Sequence, residues 1–357
     1  MRDWHRELAA VARERFVPDT IWVDTGTGYA PLRRPDDPLA WRTRVAANEP
    51  IVIQVDDGHT APGALGTAPS SSTSQPSVVA LMLASADLVR GRRILEIGTG
   101  TGWNTALLCE KLGDAAVVSV EIDPDVANAA ATALAHNGYH PTLVVGDGAL
   151  GHPGAAPYDR VLATVAAIGP VPYPWIAQTR PGGLVITPWG TEFCNGALLR
   201  LHVNTDGAGV GRFHQTLAFI RLRGHRRIAD VAEESGVESA SSWTEQQVHE
   251  AISIRGAAFA IGLRVPNCGV RLINRSGPEH LIHLNDPDTG SWARVEVGAV
   301  WPIPVHQGGP RRLWDEVAAA YTWWRRSGRP AAHRFGLTVT PGRQTIWLDN
   351  PRNPISH

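Results

Sequence analysis

Between residues 92 and 222 the chain alternates short, continuous apolar runs with longer stretches whose apolar positions recur every three or four residues. The runs 94–97, 116–120, 143–145, 160–163 and 184–186 are too short for helices and read as buried strands. The stretches 105–112, 125–136 and 175–179 read as helices, the last ending at Pro181-Gly182-Gly183. This alternation predicts an open parallel α/β sheet with helices on both faces. Two further apolar runs, 197–203 and 215–222, follow without an intervening helix and predict an antiparallel edge.

The flanks carry weaker patterns. Residues 4–15 predict a short amphipathic helix with Leu8 and Val11 on one side, stopped by Pro18. Residues 18–60 are rich in Pro, Asp, Gly and Arg and predict loops with short strands such as 51–53, and 58–66 is turn-like. The serine run 70–74 precedes Gln75-Pro76 and a helix over 77–89, a position that suits a loop end and cap better than a linker. After residue 224 the stretch 226–242 is polar and partly helical, 244–254 helical, and 259–265, 270–274, 280–284 and 294–297 strand-like. Leu313, Val317, Ala320 and Trp324 mark a helix over 311–326, and 337–348 reads as a hairpin turning at Pro341-Gly342. No internal repeat is visible. Three regions follow: an N-terminal helix and loop segment, 1–69, an α/β core, 70–224, and a C-terminal α+β domain, 225–357.

Composition narrows the function classes. With 43% apolar and 19% charged residues in 357, global disorder is excluded. Lys+Arg is 33 against Asp+Glu 34, so the basic excess of a protein that neutralises many phosphates is missing, and no nucleic-acid partner is expected. Cys109, Cys194 and Cys268 are far apart and form no CxxC pair, which suits a reducing compartment; a cytoplasmic location is expected. The charged start, Met1-Arg2-Asp3-Trp4-His5, has no apolar h-region, and no window approaches 18 apolar residues, so neither leader nor membrane span is expected. His280 and His283 are three apart in a strand-like run and would face opposite sides, so no metal site is expected. Nothing in the pattern sets an oligomeric state.

The candidate chemistry sits at strand ends. Glu96-Ile97-Gly98-Thr99-Gly100-Thr101-Gly102 closes the first core strand. Glycines there let backbone approach a ligand, and the next helix presents its positive end. A dinucleotide fingerprint would place glycine at 103, where the chain has Trp103, so a cofactor without a pyrophosphate fits better. Glu121 ends the second strand, where a carboxylate can accept ribose hydroxyls. Gly146-Asp147-Gly148 follows the third strand, and an acid between glycines suits an adenine amino group.

Together these residues resemble motif I and its partners in class I S-adenosylmethionine methyltransferases. More narrowly, residues 72–222 resemble protein-L-isoaspartate (D-aspartate) O-methyltransferases. The resemblance rests on Ser72-Thr73-Ser74-Gln75-Pro76, the glycine loop, Val145-Gly146-Asp147-Gly148, Ala156-Pro157-Tyr158-Asp159 and Pro181-Gly182-Gly183-Leu184, with Arg15-Phe16-Val17-Pro18 upstream. It implies an enzyme with a Rossmann-like sheet. It implies S-adenosyl-L-methionine as cofactor, held by Glu96, Gly98, Thr99, Gly100, Gly102, Trp103, Glu121, Ile122, Gly146, Asp147, Gly148 and Thr164. It also implies a catalytic loop of Ser72, Thr73 and Ser74, with Ser74 over the methyl donor and holding the substrate carboxylate. The chain departs from the family's Thr-Ile-Ser in that loop, and has Val165-Ala166-Ala167 where the family has a backbone-binding Gly/Ala stretch.

The layout also resembles actinobacterial homologues with C-terminal extensions that tailor ribosomally made peptides of the lanthipeptide and graspetide type. That subgroup implies methylation of one aspartate in a cyclised precursor peptide, leading through a succinimide (aspartimide) to isoaspartate. Trp292, Trp301, Trp314, Trp323, Trp324 and Trp347, with their neighbouring arginines, would then anchor the peptide. The alternatives are general isoaspartyl repair and a non-catalytic peptide-binding adaptor. Methylation of bases is disfavoured, because Thr164-Val165-Ala166-Ala167 stands where an Asn-Pro-Pro-Tyr type motif would be needed.

Overall fold

The computed structural model describes residues 4–227, 236–274, 280–298 and 300–355. Two compact units are distinguished. One comprises Met1–Ala166, Pro172–Thr187 and Arg200–Gly209; the other comprises Ala167–Val171, Pro188–Leu199 and Val210–His357. The boundaries drawn from composition do not coincide with this division: residues 1–69 belong to the first unit, and 224/225 falls inside the second.

The first unit begins with α1 (His5–Ala10). Much of residues 18–60, expected to be mostly loop, joins residues 69–73 in an antiparallel sheet. Its strands β1 (Thr20–Asp24), β2 (Tyr29–Arg33), β3 (Ile51–Val55) and β4 (Pro69–Thr73) run in the order β2-β1-β3-β4. Helix α2 (Pro38–Ala46) supplies Trp41 and Val45 to a core shared with Val17, Ile21 and Ile51. The pattern was weak because most strand positions are only half-buried and the β3–β4 register is broken twice, which blurs the period of two.

After α3 (Pro76–Ser85) come β5 (Ile94–Ile97), α4 (Trp103–Leu112), β6 (Val117–Glu121), α5 (Pro124–His136), β7 (Thr142–Val145), β8 (Tyr158–Ala163), β9 (Ala167–Ile168), α6 (Tyr173–Ala177) and β10 (Thr179–Gly190). Then follow β11 (Asn195–Val203) and β12 (Gly209–Thr216); the 215–222 run predicted for the last strand is displaced toward the N-terminus. β5 pairs in parallel with β6 and β8, β6 with β7, and β8 with β10. Every residue of β5 and β6 is buried, as expected of parallel strands covered on both faces. Asp123 caps α5 by accepting from the Asp125 and Val126 amides at 3.0 and 3.2 Å, with Pro124 in the first turn.

The second unit carries β13 (Gly236–Ser241), α7 (Glu245–Ser253), α8 (Arg255–Arg264), β14 (Gly269–Asn274), β15 (His280–Asp286), β16 (Ser291–Val297), β17 (Ile303–Gly308) and α9 (Leu313–Arg326). Its five-stranded antiparallel sheet runs β13-β17-β16-β15-β14. The hairpin β18 (Phe335–Thr340) and β19 (Arg343–Leu348) forms as expected but joins the large mixed sheet, ordered β19-β18-β12-β11-β10-β8-β5-β6-β7.

One expectation fails here, one strand went unpredicted, and one stretch is described only in part. The 259–265 run is helix α8, not a strand; Ala257 to Leu263 are buried all round, and a short apolar run of that kind has no period to separate the two. β17 was missed, although Ile303, Val305 and Gln307 alternate inward. In the run expected to be partly helical, 236–241 is a strand, and 228–235 lies outside the described residues. No helix of the described residues is long and apolar enough to cross a membrane.

Candidate functional site

The carboxyl ends of the parallel strands converge through backbone hydrogen bonds. The Gly98 amide donates to Val120 O, the Gly146 amide to Glu121 O and the Thr164 amide to Ile97 O, each at 2.8 Å. These bonds hold the loops after β5, β6, β7 and β8 in one layer. Gly98 and Gly100 have φ of +92° and +56°. A Cβ at Gly98 would lie 2.7 Å from Thr164 Oγ1, and one at Gly100 would lie 3.3 Å from Ser72 O. The glycine loop therefore lies between the end of β8 and the serine segment at the end of β4, with no room for a side chain at Gly98 and a tight fit at Gly100.

Each predicted site residue has a defined place. Glu121, 8% exposed, accepts from the Gly100 amide at 3.0 Å and the Asp123 amide at 3.2 Å. Ile122 beside it is a surface apolar residue, 37% exposed, able to cover one face of a heterocycle. Asp147 is exposed and accepts from the Ala149 amide at 2.9 Å, while Trp175 Nε1 fixes the same turn by donating to Gly148 O at 2.8 Å. Thr164 Oγ1 donates to the Gly98 and Ile97 carbonyls, at 2.5 and 3.0 Å. Gly102 packs on α5, where a Cβ would meet Leu134 at 3.1 Å. These residues fit an adenosine: small backbone, a carboxylate at the end of β6, an apolar neighbour and an acid at the end of β7.

Three cofactor candidates are turned elsewhere. Glu96 is fully buried, accepting from Asn104 Nδ2 at 2.6 Å, Thr105 Oγ1 at 2.5 Å and Ser119 Oγ at 2.7 Å. Burial pushes its carboxyl up to about 7 against those three donors. Its partner Ser119 is in turn bonded to Thr99 of the glycine loop. Thr99 spends its hydroxyl on Ser119 Oγ at 2.7 Å. Trp103, 3% exposed, donates from Nε1 to Val11 O at 3.0 Å and anchors the N-terminal segment. A motif gives spacing, and spacing alone does not tell which side chains of a loop face inward.

The serine segment is held by a residue the sequence reading passed over. Arg13, 8% exposed, donates to five carbonyls: Val45, Ala47, Glu49, Thr73 and Ser74, at 3.4, 3.2, 2.7, 3.2 and 3.1 Å. Its guanidinium lies 5.6 Å from the Trp103 ring centroid, and burial lowers its pKa to about 10. The only signal was its place two residues before the Arg15-Phe16-Val17-Pro18 stretch. Thr73 is buried, whereas Ser72 and Ser74 are half-buried. The Ser74 hydroxyl makes no hydrogen bond among the described residues and is open to a ligand.

Of the six tryptophans expected to anchor a peptide, Trp292, Trp314, Trp324 and Trp347 are core residues, Trp323 is half-buried under Arg264, and Trp301 alone is broadly exposed, at 70%. Their main work is packing. Among the described residues no cluster of three His, Cys, Asp or Glu could hold a metal ion.

Residues 58–227 match the family model described as protein-L-isoaspartate(D-aspartate) O-methyltransferase. A protein-L-isoaspartate O-methyltransferase of Pyrococcus horikoshii is 38% identical over 153 residues, 42% of this chain and 68% of that protein. One of Myxococcus xanthus is 41% identical over 203 residues, 56% of this chain and 85% of that protein. A solved structure titled protein-L-isoaspartate O-methyltransferase aligns with a TM-score of 0.51 at 21% identity, covering 97% of this chain and 94% of its own. That likeness of fold extends well beyond the matched 58–227 stretch.

Proposed function

Because the chain belongs to the protein-L-isoaspartate(D-aspartate) O-methyltransferase family, we propose that it methylates a side-chain carboxylate of aspartyl origin in a protein or peptide, with isoaspartate as the first candidate acceptor. The observation that carries this reading is the contact of Gly100 with the Ser72 backbone, which sets the glycine loop of a nucleoside site against a serine segment with an open hydroxyl at Ser74.

S-adenosyl-L-methionine, when bound, supplies a methyl group on a sulfonium. The chain's own residues have the remaining tasks. Glu121 and Asp147 would accept from ribose and adenine donors, and the glycines would leave the backbone close to the ligand. Ser74 would donate its hydroxyl to the acceptor carboxylate and orient it. No general base is needed, because a carboxylic acid with a reference pKa near ~4 is already ionised at neutral pH. Positioning is the main contribution, and well-oriented reactants recover roughly 7–11 kcal/mol of barrier. A hydroxyl grips the carboxylate without the charge that would over-stabilise the ground state.

A second, finer reading is tailoring of one aspartate in a cyclised ribosomal peptide. Residues 228–357, outside the matched stretch, favour it. Extra length alone does not decide, since the solved structure of isoaspartyl methyltransferase title also aligns over nearly the whole chain.

The test is a mass-spectrometric assay with S-adenosylmethionine on a generic isoaspartyl peptide, its aspartyl twin and a cyclised peptide with one Asp. Gain of one methyl on the isoaspartyl peptide is the expected result. Gain only on the cyclic aspartyl peptide, followed by loss of methanol, selects the tailoring reading. Methylation of none of them overturns both.

A further inference from the structure

The serine segment meets the donor site at a second place besides Gly100. Strand β3 is apolar except for Gln54, and that residue sits in a break of the sheet. The pairs Val52–Ser72, Gln54–Ser71 and Val55–Pro69 show that β3 and β4 each insert one residue, Ile53 and Ser70, before the register recovers. Such irregularities re-aim side chains that a regular ladder would send to the other face. Here the outcome is a bridge. The Ser70 hydroxyl donates to Gln54 Oε1 at 2.8 Å, and Gln54 Nε2 donates to Asp123 Oδ2 at 3.0 Å. Ser70 and Asp123 are both buried.

Asp123 joins this bridge to the donor site. Its other carboxylate oxygen caps α5, and its amide donates to Glu121 Oε1 at 3.2 Å. Glu121 Oε2 takes the Gly100 amide at 3.0 Å, and a Cβ at Gly100 would lie 3.3 Å from Ser72 O. The contacts close a circuit that runs from Ser70 through Gln54, Asp123, Glu121 and Gly100 back to the β4 backbone, two residues before Ser74. Asp56 draws the β3–β4 connection together by accepting from the Thr67 and Ala68 amides at 2.8 and 2.9 Å and from Thr60 Oγ1 at 2.9 Å. A side-chain amide suits the middle of the bridge, because one of its atoms accepts from a hydroxyl while the other donates to a carboxylate.

We propose that Gln54 is a positioning residue that ties the serine segment to the carboxylate at the end of β6, so that a nucleoside bound at Glu121 steadies the segment that holds the acceptor. This rests on the reading of the chain as an aspartyl methyltransferase. Glu121 is shared by the Asp123 and Gly100 amides, so fixing it fixes both arms of the circuit. The link is reciprocal: an acceptor held by the steadied segment favours retention of the donor. Its scale is that of a hydrogen bond, about fivefold in an equilibrium constant.

The bond between Gln54 and Asp123 can be broken and remade. Gln54→Glu keeps the Ser70 arm and sets carboxylate against carboxylate. Adding Asp123→Asn reverses the direction of the same bond, restores the net charge and keeps an N-cap, a place where Asn serves as well as Asp. The readout is hydrogen exchange at the amides of residues 70–75 in the full chain, with and without saturating S-adenosylhomocysteine, calorimetry setting the concentration for each variant. In the native protein the nucleoside should slow that exchange by about fivefold. Gln54→Glu should bring the ratio toward one, and the double variant should return most of it. In turnover of an isoaspartyl peptide at saturating S-adenosylmethionine, kcat/KM should fall about fivefold in Gln54→Glu and recover in the double variant. A bond that only stabilises the fold would change the urea midpoint and leave the nucleoside-dependent slowing as it was.

No slowing in the native protein, equal slowing in Gln54→Glu, or a loss that the double variant does not recover overturns the proposal, whatever the turnover. If the double variant does not fold, Gln54→Met, which keeps the bulk and removes both hydrogen bonds, decides in its place: slowing lost supports the bridge, and slowing kept overturns it. A native protein that methylates no peptide fails the functional reading instead, since the exchange comparison uses no peptide and still decides Gln54.

Discussion

The glycine cradle in the first unit and the apolar cavity in the second are built in opposite ways. In the cradle, backbone does the work: Gly98 and Gly100 adopt left-handed φ, and carboxylates wait at strand ends. In the cavity, about 370 Å³ lined by Ile168, Trp189, Leu263, Leu337 and Ile346 among others, side chains drawn from residues 168 to 346 do the work, with Gln344, Trp189 and His225 each bonded to nearby backbone. A cradle made of a short contiguous loop can be shared by many relatives. A pocket assembled from distant side chains can change one wall at a time. The first therefore suits a donor common to the whole family.

The largest expected effect lies between the cradle and the serine segment. Arg13→Ala leaves two buried and three part-buried carbonyl contacts without their donor and should cost about 3 kcal/mol in urea unfolding, since each buried unsatisfied group costs roughly 1–3 kcal/mol. Turnover should fall with it, and Arg13→Lys, with one point charge in place of a fork, should recover only part of either. Unaltered stability in the alanine variant would mean that the clamp is idle.

Gly98→Ala tests the cradle itself. Its Cβ would sit 2.7 Å from Thr164 Oγ1 at a φ of +92°. The strain is roughly 1–3 kcal/mol, so calorimetry should read S-adenosylhomocysteine binding weaker by about tenfold or more. An unchanged affinity would show that the loop needs no glycine there.

A smaller effect belongs to Glu96. Its folded-state pKa is raised from 4.5 to about 7, so its contribution to stability is complete below pH 4.5 and lost as pH rises through 7. Thermal unfolding of the native protein should show that loss between those limits, and Glu96→Gln should show less of it. An identical profile in both would remove Glu96 as the cause.

Legibility in the sequence followed the same divide. The core strands of the α/β sheet were visible because parallel strands covered on both faces leave continuous apolar runs, as in 94–97. The cradle was visible because its chemistry lies in consecutive residues. The inward turn of Glu96 and Trp103 was not, since only packing decides it. Arg13 was hidden because its acceptors are carbonyls 32 to 61 residues away, which leave no trace in side-chain identity. Helix α8 was misread because a helix buried all round shows no period. The cavity was invisible because its wall joins the 337–348 hairpin to residues from 168 to 267 that no sequence pattern brings together.

The central claim is a division of labour: the glycine cradle with Asp147 holds the donor, and the Arg13-clamped serine segment holds the acceptor. The most direct test measures kcat and S-adenosylmethionine Kd side by side for Ser74→Ala and Asp147→Ala. The account predicts a lower kcat with nearly native Kd for Ser74→Ala, and a weakened Kd as the first change for Asp147→Ala. A large loss of cofactor affinity in Ser74→Ala would contradict it, because the serine segment would then belong to the donor site.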